Sequence, residues 1–161
     1  MRKQIVAANW KMNMTLGETE AFFDTFLREA GDDRKVEVVI VPPFTALARA
    51  GELLRDVQNV KLGAQNMHWE KPGAFTGEIC APMLRELFVH YVVLGHSERR
   101  TLFGETDAIV NKKVLAAHAA GLTDGGFAYA EPLRLALQQV AWCHPNPLSE
   151  GERAPVEIAA T

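Results

Sequence analysis

The chain reads as an α/β protein built on a parallel sheet, and three observations carry that reading. Short continuous apolar runs alternate with helix-period segments four times before Gly121. Such runs are what strands buried on both faces look like, and strand–helix alternation at this spacing implies right-handed βαβ units. Two of the runs, Ile5-Val6-Ala7-Ala8 and Tyr91-Val92-Val93-Leu94, end directly in polar clusters. Asn9-Trp10-Lys11-Met12-Asn13 follows the first, and Gly95-His96-Ser97-Glu98-Arg99-Arg100 follows the second. In parallel architectures the carboxyl ends of the strands are where ligands bind. A lysine and a histidine delivered to that edge point to an anionic substrate.

The elements follow in order. After the first strand, Thr15 and Glu18 have the spacing of a capping box. Phe22 and Phe26, with Phe23 and Leu27, give the following helix its apolar stripe, and Gly31-Asp32-Asp33 ends it. The second strand, 36–41, is β-branched at nearly every position and is stopped by Pro42-Pro43. A helix is expected over 45–55, with Leu47, Ala50 and Leu54 on one side. The third strand is 60–64. A long polar stretch, 65–78, follows it, and loops of that length inside a compact domain are usually functional or make contacts. A short helix over 82–88 leads to the fourth strand, 91–94. The fourth helix spans 106–120, with Val110, Val114 and Ala117 as its stripe and Gly121 as its terminator.

The pattern then changes. Asp124-Gly125-Gly126 reads as a turn or linker. A helix is expected over 131–142, with Pro132 in its first turn and Leu133, Leu137, Val140 and Ala141 on one face. His144-Pro145-Asn146-Pro147 breaks the chain, and 154–160 reads as a short strand or a loose tail. The chain therefore divides into residues 1–123 and a divergent tail, 124–161.

Composition excludes several classes of function. The 161 residues are 48% hydrophobic with a net charge of −3, which permits a core and gives no basic footprint for nucleic acid. No apolar run approaches the roughly 20 residues of a membrane helix. Met1-Arg2-Lys3-Gln4 leads into a strand without the apolar segment of a signal peptide, so the expected location is the cytoplasm. Two cysteines, Cys80 and Cys143, are too few for a disulfide framework and read as reduced thiols. His68, His90, His118 and His144 lack ligand spacing, so no metal is expected. Gly95-His96-Ser97 lacks the second glycine of a nucleophile elbow. Arg99 and Arg100 read as partners in structural ion pairs rather than as substrate ligands.

Four stretches together resemble the triosephosphate isomerase family: Ala8-Asn9-Trp10-Lys11-Met12-Asn13, Gly63-Ala64-Gln65-Asn66, Gly73-Ala74-Phe75-Thr76-Gly77-Glu78 and Leu94-Gly95-His96-Ser97-Glu98-Arg99-Arg100. They occur in the family's order and near its spacing, over residues 4–123. The resemblance implies the (β/α) TIM-barrel fold, truncated here to about the first four βα units. It implies the interconversion of dihydroxyacetone phosphate and glyceraldehyde 3-phosphate, a step of glycolysis and gluconeogenesis, without a cofactor. Lys11 is then the cation for the substrate phosphate and the enediolate, Asn9 a substrate-orienting group, and His96 the neutral electrophile at the carbonyl. Glu98 is the carboxylate supporting the lysine. The 65–78 loop, with Phe75, Thr76 and Gly77, is an arm that contacts a partner subunit, which implies a homodimer or self-association.

The family's catalytic base, a glutamate in a Tyr-Glu-Pro context, has no match. Tyr129-Ala130-Glu131-Pro132 carries an extra alanine and comes too early, so Glu131 reads as a helix-start carboxylate. A full barrel needs about 250 residues. A truncated gene, a frameshift near codon 123 and a deliberate fragment all fit the sequence. Three functions compete: the isomerase, a non-catalytic remnant that self-associates through its arm and open sheet edge, and a phosphate-ligand binder using Lys11.

Overall fold

The computed structural model describes residues 4–29, 36–122 and 140–142. They form β1 (Gln4–Asn9), α1 (Leu16–Glu29), β2 (Val36–Val41), α2 (Phe44–Leu53), β3 (Val60–Ala64), α3 (Ala81–Glu86), β4 (Tyr91–Val92), α4 (Ser97–Phe103), α5 (Asp107–Ala119) and β5 (Val140–Trp142). Every strand pairing among the described residues is parallel, as the strand–helix alternation predicts. The described residues fall into two compact units. One runs to Leu62 and includes 140–142; the other runs from Gly63. Each is treated by itself.

In the first unit β2 pairs with β1 from Gln4↔Val36 to Asn9↔Val41, and with the first residues of β3 from Val38↔Val60 to Ile40↔Leu62. Every residue of β2 except Glu37 is Val or Ile, and Val39, Ile40 and Val41 are buried. The expected capping box forms at the start of α1. The Thr15 N–H and hydroxyl donate to Glu18 Oε2 at 2.7 and 2.8 Å, and the Glu18 N–H donates back to Thr15 Oγ1 at 3.4 Å. The bonds from Thr15 hold the Glu18 carboxyl below the usual carboxylate range. The phenylalanine stripe of α1 packs onto Trp10, the residue that follows β1. Trp10 is fully buried, meets Phe22 edge-on at 5.0 Å between ring centroids, and Phe22 stacks on Phe26 at 5.2 Å. Each such ring pair contributes about 0.5–1.5 kcal/mol beyond the area it buries. On α2, Ala46, Leu47 and Ala50 are buried. Arg49 reaches across to Glu20 at 2.8 Å, but both side chains are exposed enough that the pair adds little.

In the second unit the end of β3 pairs with β4, Gly63 opposite Tyr91 and Ala64 opposite Val92. The fourth strand is shorter than the expected 91–94. Val93 still donates to the Ala64 carbonyl at 2.8 Å and Leu94 is buried, but the chain then turns through Gly95 at φ 66°. The seven-residue helix α4 follows at once and ends at Gly104, φ 67°. Sequence periodicity gives no notice of so short a helix.

Helix α5 matches the fourth expected helix to within a residue at each end. Thr106 caps its start by accepting from the Ile109 N–H at 3.3 Å. Its end is a complete Schellman motif: Gly121 donates to the His118 carbonyl at 3.0 Å and Leu122 to the Ala117 carbonyl at 2.9 Å. The helix expected over 131–142 requires a correction. Its last three residues are strand, paired with β1 from Ile5↔Val140 to Ala7↔Trp142, because backbone groups along the free side of β1 offer them partners that a helix end does not. The remainder of that helix, Glu131 and Cys143 lie outside the described residues. Cys80 is buried as a free thiol.

The helix end at Gly121 supplies a prediction. A Cβ there would stand 2.9 Å from Nη1 of Arg85, which bonds the Ala120 carbonyl, and would have to adopt φ 68°. Left-handed backbone costs an L-residue about 1–2 kcal/mol. Gly121→Ala should therefore lower the urea-unfolding free energy by about that amount or more; an unchanged midpoint would contradict this account of the helix end.

Candidate active site

The polar residues that follow β1 are held by an unusual backbone. Lys11 has φ 55° and Met14 φ 77°, both in the left-handed region that side chains with a Cβ avoid. Two anchors keep the loop there. The Trp10 N–H continues the β1 ladder by donating to the Val41 carbonyl at 3.0 Å, and its indole is sealed in the core. Asn9, itself buried, accepts the Lys11 N–H on Oδ1 at 3.1 Å, and Asn13 Nδ2 donates to the Trp10 carbonyl at 2.8 Å. Asn9 thus folds the exit loop and fixes where Lys11 begins. Lys11 is half-buried and Met12 is exposed.

The exit from β4 is built differently. Gly95 is buried with φ 66°, and a Cβ there would press on both γ-methyls of Val110 at 3.0 Å. Glycine is favoured at that turn on both counts. The turn places His96 as the N-cap of α4, where its ring does the work of a capping side chain. Nδ1 accepts the Glu98 N–H at 3.2 Å. A nitrogen cannot accept that bond and carry a proton at once, so the bond belongs to the neutral ring, whose own N–H is then on Nε2. The Glu98 carboxylate stands 3.6 Å from Nδ1, and the His96 side chain is 14% exposed.

Behind His96, α4 is held by a buried ion cluster. Glu105 Oε1 accepts from Arg99 Nε on α4 and from Lys113 Nζ on α5, and Lys113 also donates to Asn66 Oδ1 at 2.7 Å. Glu105, Lys113 and Asn66 are all buried. Burial pushes the Glu105 carboxyl up, and the bonds and charges of Arg99 and Lys113 outweigh it, so it stays below the usual carboxylate range. Arg100 donates to the Gly95 carbonyl at 2.9 Å and to Asp107 at 2.7 Å. Both arginines are thus in structural ion pairs, as their sequence context suggests. Sequence reading gives no role to Glu105 or Lys113, or to Asn66 within its quoted stretch; Glu105 and Asn66 lie 8 and 47 positions from Lys113 along the chain. The signal that could have found them is a lysine placed on the buried stripe of α5.

The 65–78 loop stands on a narrow base. The His68 N–H donates to the Ile79 carbonyl at 2.8 Å, and His68 bridges Cys80. Residues 71–78 are all exposed. Phe75 rests against the His68 ring at 4.6 Å with 44% of its surface exposed, Thr76 is exposed, and Gly77 turns at φ 89°. The expected site residues therefore form three local groups: Asn9 with Lys11, His96 with Glu98, and Phe75, Thr76 and Gly77 on the arm.

A family model described as triosephosphate isomerase matches residues 4–124. The triosephosphate isomerase of Aquifex aeolicus is 51% identical over 120 residues, which is 74% of this chain and 48% of that protein. That of Dictyoglomus thermophilum is 52% identical over 122 residues, 76% of this chain and 49% of that protein. That of Alkaliphilus metalliredigens is 56% identical over 117 residues, 73% and 46% respectively. The chain spans about half the length of the curated relatives it matches.

Two predictions follow from the local geometry. Inside a helix or strand Ala is more stable than Gly by about 0.5–1 kcal/mol; at residue 11 the order should invert, with Lys11→Gly about 1 kcal/mol more stable than Lys11→Ala in chemical denaturation. Equal stabilities would mean the left-handed backbone is not maintained in solution. For the ion cluster, Glu105→Gln leaves Lys113 buried without its anion and should cost about 3–5 kcal/mol at pH 7. Because the folded carboxyl titrates below its unfolded value near 4.3, its contribution is complete above that value and is lost as pH falls through the folded one. The stability gap between the wild type and Glu105→Gln should therefore shrink in acid; a gap independent of pH would contradict the cluster.

Proposed function

Because the chain belongs to the triosephosphate isomerase family, with the parallel (β/α)-barrel type of fold over its first four βα units, we propose that residues 4–124 carry the phosphate-attracting and electrophilic part of an aldose–ketose isomerase site. The substrate is a phosphorylated triose. The reaction shifts a carbonyl between neighbouring carbons by moving a proton, through an enediolate whose oxygens carry negative charge. Lys11 attracts the phosphate and steadies that charge. Asn9 orients the substrate and holds the Lys11 backbone. His96 donates its Nε2–H to the carbonyl oxygen as charge develops there, and the Glu98 N–H braces the ring from the Nδ1 side.

The observation that carries this reading is the bond from the Glu98 N–H to His96 Nδ1. It commits Nε2 to donation, and a donor fixed in advance lowers the barrier to an oxyanion without reorganising during the reaction. The backbone of Lys11 argues the same way, since strain of order 1–3 kcal/mol persists where the surrounding structure over-determines it, as at functional sites.

The proton must also be taken from carbon, and a general base contributes about 10²–10⁴-fold. The family match ends at residue 124, and none of Asn9, Lys11, His96 and Glu98 is assigned that task. A second reading is therefore a non-catalytic half-site that self-associates. The wholly exposed stretch 71–78, with Phe75 nearly half exposed at its tip, favours an arm that docks on a second copy to give a homodimer.

A coupled assay of the 161-residue protein with glyceraldehyde 3-phosphate separates the two readings. Turnover should fall at least about 10²-fold below that of the Aquifex aeolicus relative. Comparable turnover would place a working base within this chain and overturn the half-site reading.

A further inference from the structure

The free side of β1 is taken by a segment from outside the matched family region. Backbone alternation shows how. The Trp10 N–H bonds the Val41 carbonyl, so in β1 the N–H groups of Ala8 and Val6 also face β2, and those of Ala7 and Ile5 face the opposite side. That side is where β5 lies, with Val6 opposite Ala141. In a parallel pair only one residue of each opposed couple directs its N–H and C=O across the gap. Val6 directs its own to β2. Ala141 therefore bonds β1, donating to the Ile5 carbonyl and accepting from the Ala7 N–H.

In a closed parallel barrel the first strand is the neighbour of the last. The edge of β1 that β5 holds is the one a closing strand would need. It is also the edge at which a second copy of this chain could add a strand. One row of N–H and C=O groups bonds one strand at a time. We propose that Val140–Trp142 is an intramolecular strap that occupies the β1 edge and excludes a second copy of the chain from it, so that strand addition there requires β5 to leave. The strap is only three residues long, so it holds the edge through few bonds and can be displaced. The proposal rests on strand register and does not depend on catalysis.

Amide hydrogen exchange of the full chain, resolved by residue, tests it. The Ala7 amide should exchange within about tenfold of the rates of Val6 and Ala8, and its protection should not change on tenfold dilution. A fast Ala7 amide beside slow Val6 and Ala8 would overturn the strap. So would Ala7 protection that disappears on dilution, because a second copy would then be its source. Ala141→Pro removes the donor facing β1. It should speed Ala7 at least tenfold relative to Val6 and Ala8, and should raise the mass measured by sedimentation at concentrations where the unaltered chain shows no change. If Ala7 is unaffected by Ala141→Pro, the strap is refuted. If the variant loses protection at all three amides, the rate and dilution series of the unaltered chain decide the matter.

Discussion

A parallel strand must hand its chain to a helix, and the residue at the hand-over decides which groups stand at the strand's carboxyl end. This constraint governs both polar clusters of the molecule. After β1 and after β4 the backbone passes through the left-handed region, at Lys11 with φ 55° and at Gly95 with φ 66°. At Gly95 glycine is favoured, because a Cβ on that left-handed backbone would crowd Val110. At Lys11 a side chain is kept where glycine would be easier, and Asn9 and Asn13 hold the loop to it. Backbone of this kind costs about 1–3 kcal/mol and persists only where the surrounding structure over-determines it.

The supports behind the two exits differ in kind. The loop after β1 rests on an aromatic cluster, Trp10 with Phe22 and Phe23, and on one continuation of the strand ladder. The turn after β4 rests on charge. Lys113 could not remain buried without Glu105, and Glu105 could not remain ionised there without Lys113 and Arg99. Arg99 belongs to the helix that His96 caps, so the cluster fixes the ring through the helix that follows it. Acid weakens the second support and leaves the first, since nothing in the aromatic cluster titrates.

Much of this was readable in the sequence, for physical reasons that differ by element. The Val/Ile run of β2, the Thr15–Glu18 box and the glycine closing α5 are local signals, and each forms where it was expected. The strand-end positions of Lys11 and His96 followed from apolar runs meeting polar clusters. What escaped was non-local or too short. Helix α4 has seven residues and no apolar stripe. The Glu105–Lys113–Asn66 cluster joins a loop, a helix and a connection far apart in sequence. The segment 140–142 carries helix-compatible apolar spacing, and only its pairing with β1 makes it a strand.

The account's central claim is that the turn after β4 fixes the His96 ring, with Nδ1 accepting the Glu98 N–H and Nε2 left as the donor. Nitrogen-15 NMR of the labelled histidine rings in the full chain tests it most directly. The account predicts that the neutral His96 ring carries its proton on Nε2 and shows an acceptor nitrogen at Nδ1. A neutral ring protonated on Nδ1 would contradict it.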